Sequence, residues 1–481
     1  MSNQEKNIMV QKVRLSIVKF CILFGLMILV ASCTKSNTTG IPAVPNSLTE
    51  YNSIAPTPPM GWNSYDCFGA SVTEAEVKAN ADIMAVHLKK YGWEYIVVDY
   101  CWFYPYSAAM GNPDQHSNFT PSFPMDEYGR LFPAVDKFPS SADGKGFKPL
   151  VDYIHSKGLK FGIHVMRGIP REAVAKNTFV KGSKVTAKEI CDSTSKCPWL
   201  NSMFGVDCTK EGAQEYYNSI INLYVSWGVD YIKVDDLSSP YSSFEIEAIH
   251  KAIVNSGRNI VFSLSPGATP IEKANHVKQY ANLWRISSDF WDDWPALKKQ
   301  FDICHMWEKE ITPGHWPDAD MIPIGLLSRR GPEEKDEHRS YFTREEQKTL
   351  MTLWAIFRSP LMFGGDLTMI SKDEFQLITN SEVLAVNQNS ANNHQLFRDG
   401  DKVAWIADVP ESRNKYVALF NLGEKETTIE VSAKELGFTE PFSIRNLWEK
   451  KDLSNNAGSL IQTLPPHGAG IYLVGTKAVS Y

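Results

Sequence analysis

From about Pro56 to Asp366 the sequence alternates, eight times over, between short apolar, β-branched stretches and longer amphipathic ones of helical spacing. No other feature restricts the fold as much. Parallel strands cannot be joined by a tight turn, and a helical crossover is the usual connection. The strand-like stretches are 60–65, 95–99, 160–165, the run 229–237, 259–265, 282–287, 320–323 and 361–364. The helix-like ones are 73–91, 147–157, 211–227, 243–255, a shorter one, 294–304, 344–358 and 372–386. Eight such units predict an α/β fold closed as a (β/α)8 TIM barrel over residues 54–387, with its site at the strands' C-terminal ends. Two long irregular stretches, 104–146 and 166–208, follow the second and third strands there, where loops of this length line sites.

The fourth strand carries the strongest local signal. Val229-Asp230-Tyr231-Ile232-Lys233-Val234-Asp235-Asp236-Leu237 is an apolar run that ends abruptly in carboxylates. Side chains alternate along a strand, so Tyr231, Lys233 and Asp235 share one face, and a lysine beside an aspartate favours the ionised form of both. An ionised carboxylate there is a candidate nucleophile, or else an ordinary solvated strand end. Asp99 and Asp289 close two other strands, and Asp289 lies four residues beyond Arg285. Two carboxyls across a pocket are the requirement of glycoside hydrolysis: one attacks or activates water and the other protonates the leaving oxygen.

After about residue 387 the period changes. Short alternating stretches at 403–407, 416–420, 427–431, 442–448 and 470–474, separated by turn residues, predict a C-terminal antiparallel β-sandwich over 388–481. The formal net charge of −6 and the lack of a basic block give no phosphate footprint, which argues against nucleic acid as a partner. Thirteen tryptophans supply flat apolar rings suited to sugar faces as well as to the core.

The first 33 residues have the form of a signal: Lys6, Lys12, Arg14 and Lys19, then an apolar run at 20–30 too short to span a bilayer comfortably. The ending Val30-Ala31-Ser32-Cys33 resembles a bacterial lipobox. It implies lipidation of Cys33, a polar tether over 34–53, membrane attachment through that anchor and residence in the cell envelope, in periplasm or outer membrane. Six cysteines remain beyond the signal, and their spacings do not repeat a paired CxxC pattern, which argues against zinc. Neither a metal nor a cofactor is expected.

Several motifs together resemble glycoside hydrolase family 27, the melibiase or α-galactosidase group. They are Pro58-Pro59-Met60-Gly61-Trp62-Asn63-Ser64, Asp99 with Cys101-Trp102, Lys233-Val234-Asp235, Arg285 with Asp289, Trp316-Pro317-Asp318-Ala319-Asp320-Met321, Ser359-Pro360-Leu361, and Leu464-Pro465-Pro466-His467-Gly468. The resemblance implies a retaining exo-glycosidase with a carbohydrate substrate, Asp235 as nucleophile and Asp289 as acid/base. It further implies an apolar wall from Trp62, hydroxyl-binding by Asp99, Lys233 and Arg285, and a Cys67–Cys101 disulfide.

Departures from the family pattern bear on the substrate. Typical α-galactosidases have two consecutive aspartates where this chain has Asp99-Tyr100, and they contact the sugar's O4 and O6. A tyrosine adds bulk where a CH₂OH group would project. His164-Val165-Met166-Arg167-Gly168-Ile169-Pro170-Arg171 replaces the usual acidic loop and resembles the branch that includes β-L-arabinopyranosidases. Small residues at Ser265 and Ala268, near the expected 2-hydroxyl, resemble those of α-N-acetylgalactosaminidases. The cysteine that commonly follows the nucleophile is absent, leaving Cys191 and Cys197 to staple a different insertion. Removal of terminal α-D-galactosyl residues is the leading expectation, with β-L-arabinopyranosidase and α-N-acetylgalactosaminidase activity as alternatives. A surface glycan-binding lipoprotein without catalysis is the non-enzymatic one, and the presence of both Asp235 and Asp289 argues against it.

Overall fold

The computed structural model describes residues 53–106, 122–330 and 336–475. The signal segment with Cys33, and the tether up to residue 52, lie outside these. Eight parallel strands form the barrel: β1 (Met60–Asn63), β2 (Tyr95–Val98), β3 (Lys160–Met166), β4 (Tyr231–Asp235), β5 (Val261–Leu264), β6 (Leu283–Arg285), β7 (Trp316–Asp318) and β8 (Leu361–Phe363). They pair in chain order, and β8 returns to lie beside β1. Between β7 and β8 the seam is closed by one parallel bridge, in which Ile322 N donates to Met362 O at 2.7 Å and Gly364 N to Ile322 O at 3.0 Å.

Strand alternation sorts the side chains. Tyr95, Val97, Tyr231, Val261, Leu283, Trp316 and Met362 fill the lower barrel interior. Two glycines make room for the tyrosines: a Cβ at Gly61 would stand 2.5 Å from Tyr95 O, and one at Gly162 would stand 2.9 Å from a Val97 methyl and 3.1 Å from Tyr231 Cβ. The opposite set, including Trp62, Ile96, Val98, Ile163, Ile232, Val234, Phe262 and Trp284, packs in the larger core. Each such apolar side chain contributes roughly 1.5–3 kcal/mol by burial, so the barrel is held from both faces of every strand.

The helices follow their strands: α1 (Glu74–Ile83), α2 (Lys148–Ser156), α3 (Ala213–Trp227), α4 (Ser243–Ser256), α5 (Ala274–Tyr280), α6 (Trp294–Trp307) and α7 (Arg344–Phe357). Capping boxes start α1, with Thr73 and Glu76, and α7, with Thr343 and Glu346, satisfying amide groups that a helix start leaves free. The single helix expected over 372–386 is two, α8 (Lys372–Ile378) and α9 (Ser381–Asn389). Asn380 divides them, because its Oδ1 accepts from Glu382 N and Val383 N and so begins a new helix. The seventh strand lies earlier than expected because Pro317, which reads as a breaker, is tolerated there. Trp316 N donates to Asn282 O on the β6 side, so the missing N–H of Pro317 falls on the seam side, where β7 has no ladder.

The C-terminal strands are β9 (Ala391–Asp399), β10 (Lys402–Asp408), β11 (Lys415–Asn421), β12 (Thr427–Ser432), β13 (Phe442–Asn446), β14 (Lys451–Ala457), β15 (Ser459–Leu464) and β16 (Ala469–Gly475). An antiparallel six-stranded sheet in the order β9-β10-β11-β16-β13-β14 faces the β12-β15 pair across Ala404, Val417, Ile429, Val431, Leu460 and Val474. Of these strands, β9, β14 and β15 were not expected. The edge strands β9 and β14 are largely polar, so neither shows the apolar alternation that marks a half-buried strand. The sandwich is tied to the barrel's last helices by the Arg445–Glu382 pair at 2.8 Å and by Asn380 Nδ2 donating to Leu447 O at 3.0 Å.

Candidate active site

A cavity of about 400 Å³ opens over the C-terminal ends of the strands. Asp99, Tyr100, Lys233, Asp235, Arg285 and Asp289 line it together, as do Tyr65, Asp66, Trp199, Trp291 and Asp320. The barrel therefore brings together six of the residues expected from sequence, drawn from β2, β4, β6 and their loops.

Asp235 ends β4 and is buried. Ser265, just past β5, donates its hydroxyl to Oδ1, and His164 on β3 places Nε2 2.8 Å from Oδ2. Burial alone raises the carboxyl's proton affinity, but His164, Lys233 and the Ser265 hydrogen bond outweigh it and hold the pKa down at about 2. Asp235 is thus an anion at neutral pH. Asp99 is held in the same way: Lys233 Nζ donates to Oδ2 at 3.1 Å, Asn63 Nδ2 to the same oxygen at 2.6 Å, and Tyr100 N to Oδ1 at 2.8 Å. Against the effect of burial, Lys233 keeps Asp99 below its ordinary value, and Asp99 and Asp235 keep Lys233 charged.

On the far wall the Arg285 guanidinium is divided between two carboxylates. Its Nη2 lies 2.7 Å from Asp320 Oδ2 and 3.1 Å from Asp289 Oδ1. Asp320 is buried in a left-handed backbone conformation, φ 87°, and its Oδ2 also accepts Phe290 N at 2.7 Å. Burial pushes it up to about 6 in spite of Arg285. The Asp289 side chain is 47% exposed. Of the two expected catalytic carboxyls, one is buried and fixed and the other is open to an incoming group or water.

Asp236 takes no part in this wall. Its backbone turns left-handed, φ 66°, and its carboxylate pairs with Arg167 Nη2 at 2.6 Å, while Arg167 Nη1 pairs with Glu245 at 2.5 Å. This buried network anchors the top of β4 to the insertion after β3, where Ser195 Oγ accepts from the same guanidinium at 2.9 Å. The basic residue at the head of that insertion is therefore a structural clamp. The insertion itself carries a small antiparallel sheet of Ile169–Pro170, Cys191–Lys196 and Met203–Val206, and it delivers Trp199 to the cavity.

Four expectations are corrected. Trp62 does not wall the cavity: it is fully buried on the outer face of β1, and its Nε1 donates to Gly365 O at 2.9 Å. Strand alternation sends its neighbours Gly61 and Asn63 inward, and the aromatic ring that this segment gives the cavity is Tyr65. Ser265 is buried behind Asp235 and is not among the lining residues, so it touches the carboxylate in place of the sugar. Cys67 and Cys101 are buried free thiols. The Cys67 thiol points to Ser64 O at 3.7 Å, within its own turn, and Cys101 sits at φ 60° beside the Tyr100 hydroxyl. Cys191 and Cys197 are free as well, so the insertion carries no staple between them.

Sequence reasoning gave no role to His164, Asp66, Asp320, Tyr65, Trp199 or Trp291. His164 was legible by period alone, since it shares the inward face of β3 with Gly162. Among the described residues, no group of three or more His, Cys, Asp or Glu side chains is placed to hold a metal ion.

With this geometry, comparison with known proteins is specific. The chain is 48% identical to a GH27 β-L-arabinopyranosidase from Geobacillus stearothermophilus, solved in complex with arabinose; the match covers 89% of this chain and 99% of that one, with a TM-score of 0.85. The protein belongs to glycoside hydrolase family 27. Residues 171–389 of this family 27 chain match the family model described as alpha galactosidase A, and residues 399–474 match that of the alpha galactosidase C-terminal beta sandwich domain. It is 29% identical to an alpha-galactosidase of Coffea arabica, over 88% of this chain and 95% of that one. Identity to alpha-galactosidase 2 of Arabidopsis thaliana is 28%, over 88% and 90% respectively. The barrel with its C-terminal sandwich, and the glycoside hydrolase class, are as the sequence implied.

Proposed function

We propose that this family 27 enzyme is a retaining exo-glycosidase that hydrolyses terminal α-D-galactosides and, in preference, β-L-arabinopyranosides. Asp235, anionic at neutral pH, attacks the anomeric carbon while Asp289 gives its proton to the departing oxygen. Water, deprotonated by Asp289, then releases the sugar from Asp235. Asp99, Lys233 and Arg285 take the sugar hydroxyls.

The observation that carries the preference is Tyr100. It stands beside Asp99 with its ring near-perpendicular to those of His164 and Tyr65, at centroid distances of 5.6 and 6.0 Å. It is 6% exposed and lines the cavity. L-Arabinopyranose is galactose without the CH₂OH group, so bulk at this wall disfavours only the larger sugar. The 48% identity to a β-L-arabinopyranosidase, against 29% and 28% for the two α-galactosidases, supports the same preference. Comparing kcat/KM on aryl β-L-arabinopyranoside and aryl α-D-galactoside tests it. A higher value on the arabinoside is expected, and a lower one refutes the preference. No turnover of either at high enzyme concentration refutes the enzyme.

Membrane attachment is proposed on the lipobox-like Val30-Ala31-Ser32-Cys33 alone. Among the described residues, no helix is long and apolar enough to cross a membrane. Mass spectrometry of the mature N-terminus tests the anchor: a diacylglyceryl group on Cys33 is expected, and an unmodified cysteine refutes it.

A further inference from the structure

His164 is fully buried, yet neither of its ring nitrogens makes a well-aligned hydrogen bond to any of the described residues. Its one short polar contact is oblique, from Nε2 to Asp235 Oδ2 at 2.8 Å. The ring packs near-perpendicular to that of Tyr100, and the backbone carbonyl of His164 accepts Trp102 Nε1 at 2.6 Å, which fixes the residue on β3 without using the imidazole. A buried polar ring with no structural partner is costly to keep. An apolar side chain of similar size would fill the same space at less cost, so the imidazole calls for an explanation in the reaction.

Resting on the retaining reading above, we infer that His164 is a positioning residue whose Nε2–H stabilises the Asp235 carboxylate chiefly as it departs from the anomeric carbon in the second half of the reaction. An ionised carboxylate has no proton to give, so at a 2.8 Å contact Nε2 carries it. In the first step an Asp235 oxygen forms a bond to the anomeric carbon, the bond to the leaving oxygen breaks, and that oxygen takes the Asp289 proton. In the second, water oxygen bonds to the anomeric carbon, its proton passes to Asp289, and the electron pair of the sugar–Asp235 bond returns to the carboxylate. The imidazole N–H attracts the anion at either end more than the neutral ester between them. It therefore disfavours accumulation of the ester and helps the carboxylate leave, while Ser265 on Oδ1 keeps the group from rotating.

The experiment pairs His164→Phe, which fills the space without a donor, with His164→Gln, which restores one. Both are assayed on an aryl β-L-arabinopyranoside with a good leaving group, by rapid mixing and by intact-protein mass spectrometry under turnover. For His164→Phe the inference expects a burst of close to one equivalent of aryl alcohol and an accumulated sugar adduct. It expects kcat and KM to fall together by tenfold or more, with kcat/KM changed by less than about threefold. His164→Gln should recover much of kcat and show less adduct. An equal loss in kcat and kcat/KM without burst or adduct, or a His164→Phe enzyme with wild-type kcat, overturns it, as does a His164→Gln enzyme no better than His164→Phe. Should His164→Phe fail to fold, His164→Gln alone decides: a smaller burst with a partial fall in kcat and KM is expected, and an unchanged KM overturns the inference. Wild-type enzyme inactive on both aryl glycosides would instead overturn the proposed function.

Discussion

Replacing Ser265 by alanine removes the hydroxyl that donates to Asp235 Oδ1 and leaves the rest of the site in place. Asp235 is displaced from the ordinary 3.8 to about 2. At about 1.36 kcal/mol per unit this is roughly 2.5 kcal/mol of preference for the charged form, net of the opposing effect of burial. A hydrogen bond to a charged group is worth about 1.5–3 kcal/mol, but His164 and Lys233 still act on the carboxylate and relaxation recovers part of the loss. The expected rise is therefore about one unit. The assay is kcat/KM on an aryl glycoside as a function of pH, because that profile reports ionisations of the free enzyme. The acid limb should move up by about one unit in Ser265→Ala, with only a modest loss at neutral pH. The sign for stability follows from the depressed value: ionised Asp235 stabilises the fold above 3.8, and that contribution is lost as pH falls from 3.8 towards about 2. Ser265→Ala should narrow this window from below and lower stability at neutral pH by about 1–2 kcal/mol in urea unfolding. An acid limb that stays in place in a well-folded variant would refute the argument that Ser265 holds the carboxylate.

Tyr100→Ala should raise the ratio of kcat/KM on α-D-galactoside to that on β-L-arabinopyranoside by about tenfold or more, since one small group in a packed pocket discriminates by about 1–3 kcal/mol; an unchanged ratio places the preference elsewhere. Arg167→Met strands the buried Asp236 and Glu245 carboxylates and should cost about 3–5 kcal/mol, read as a lower Tm. A Tm equal to wild type would show that the clamp is not structural. Asp289→Ala should lose about 100-fold or more of kcat/KM on substrates with poor leaving groups and far less on activated ones, and equal losses on both would remove it as the acid.

The sequence carried the barrel because strand-like and helix-like stretches alternated along it, and at three of the strands a carboxylate at the end gave a second signal. Asp99, Asp235 and Asp289 were legible for that reason, and the Lys233–Asp235 face followed from alternation. Trp62 was misplaced by the same rule left unapplied: its neighbours one residue away on either side, Gly61 and Asn63, are the ones that the period turns into the barrel. His164, Tyr65 and Asp320 were harder to recognise, since each gains its meaning from partners distant in sequence, Asp235, Tyr100 and Arg285 respectively. The Cys67–Cys101 pairing rested on family resemblance, with nothing local to contradict it, and the two thiols take other neighbours here. Polar edge strands such as β14 expose both faces and carry almost no periodic signal.

The central claim is that Asp235 attacks the sugar. Incubating the enzyme with an activated fluorinated sugar that forms a glycosyl ester but hydrolyses slowly, followed by proteolysis and peptide mass spectrometry, tests it directly. One sugar per chain on the peptide containing Asp235, and none on the Asp235→Ala enzyme, is the predicted result. Label on Asp289 or on another carboxylate, or turnover with inversion at the anomeric carbon, would contradict it.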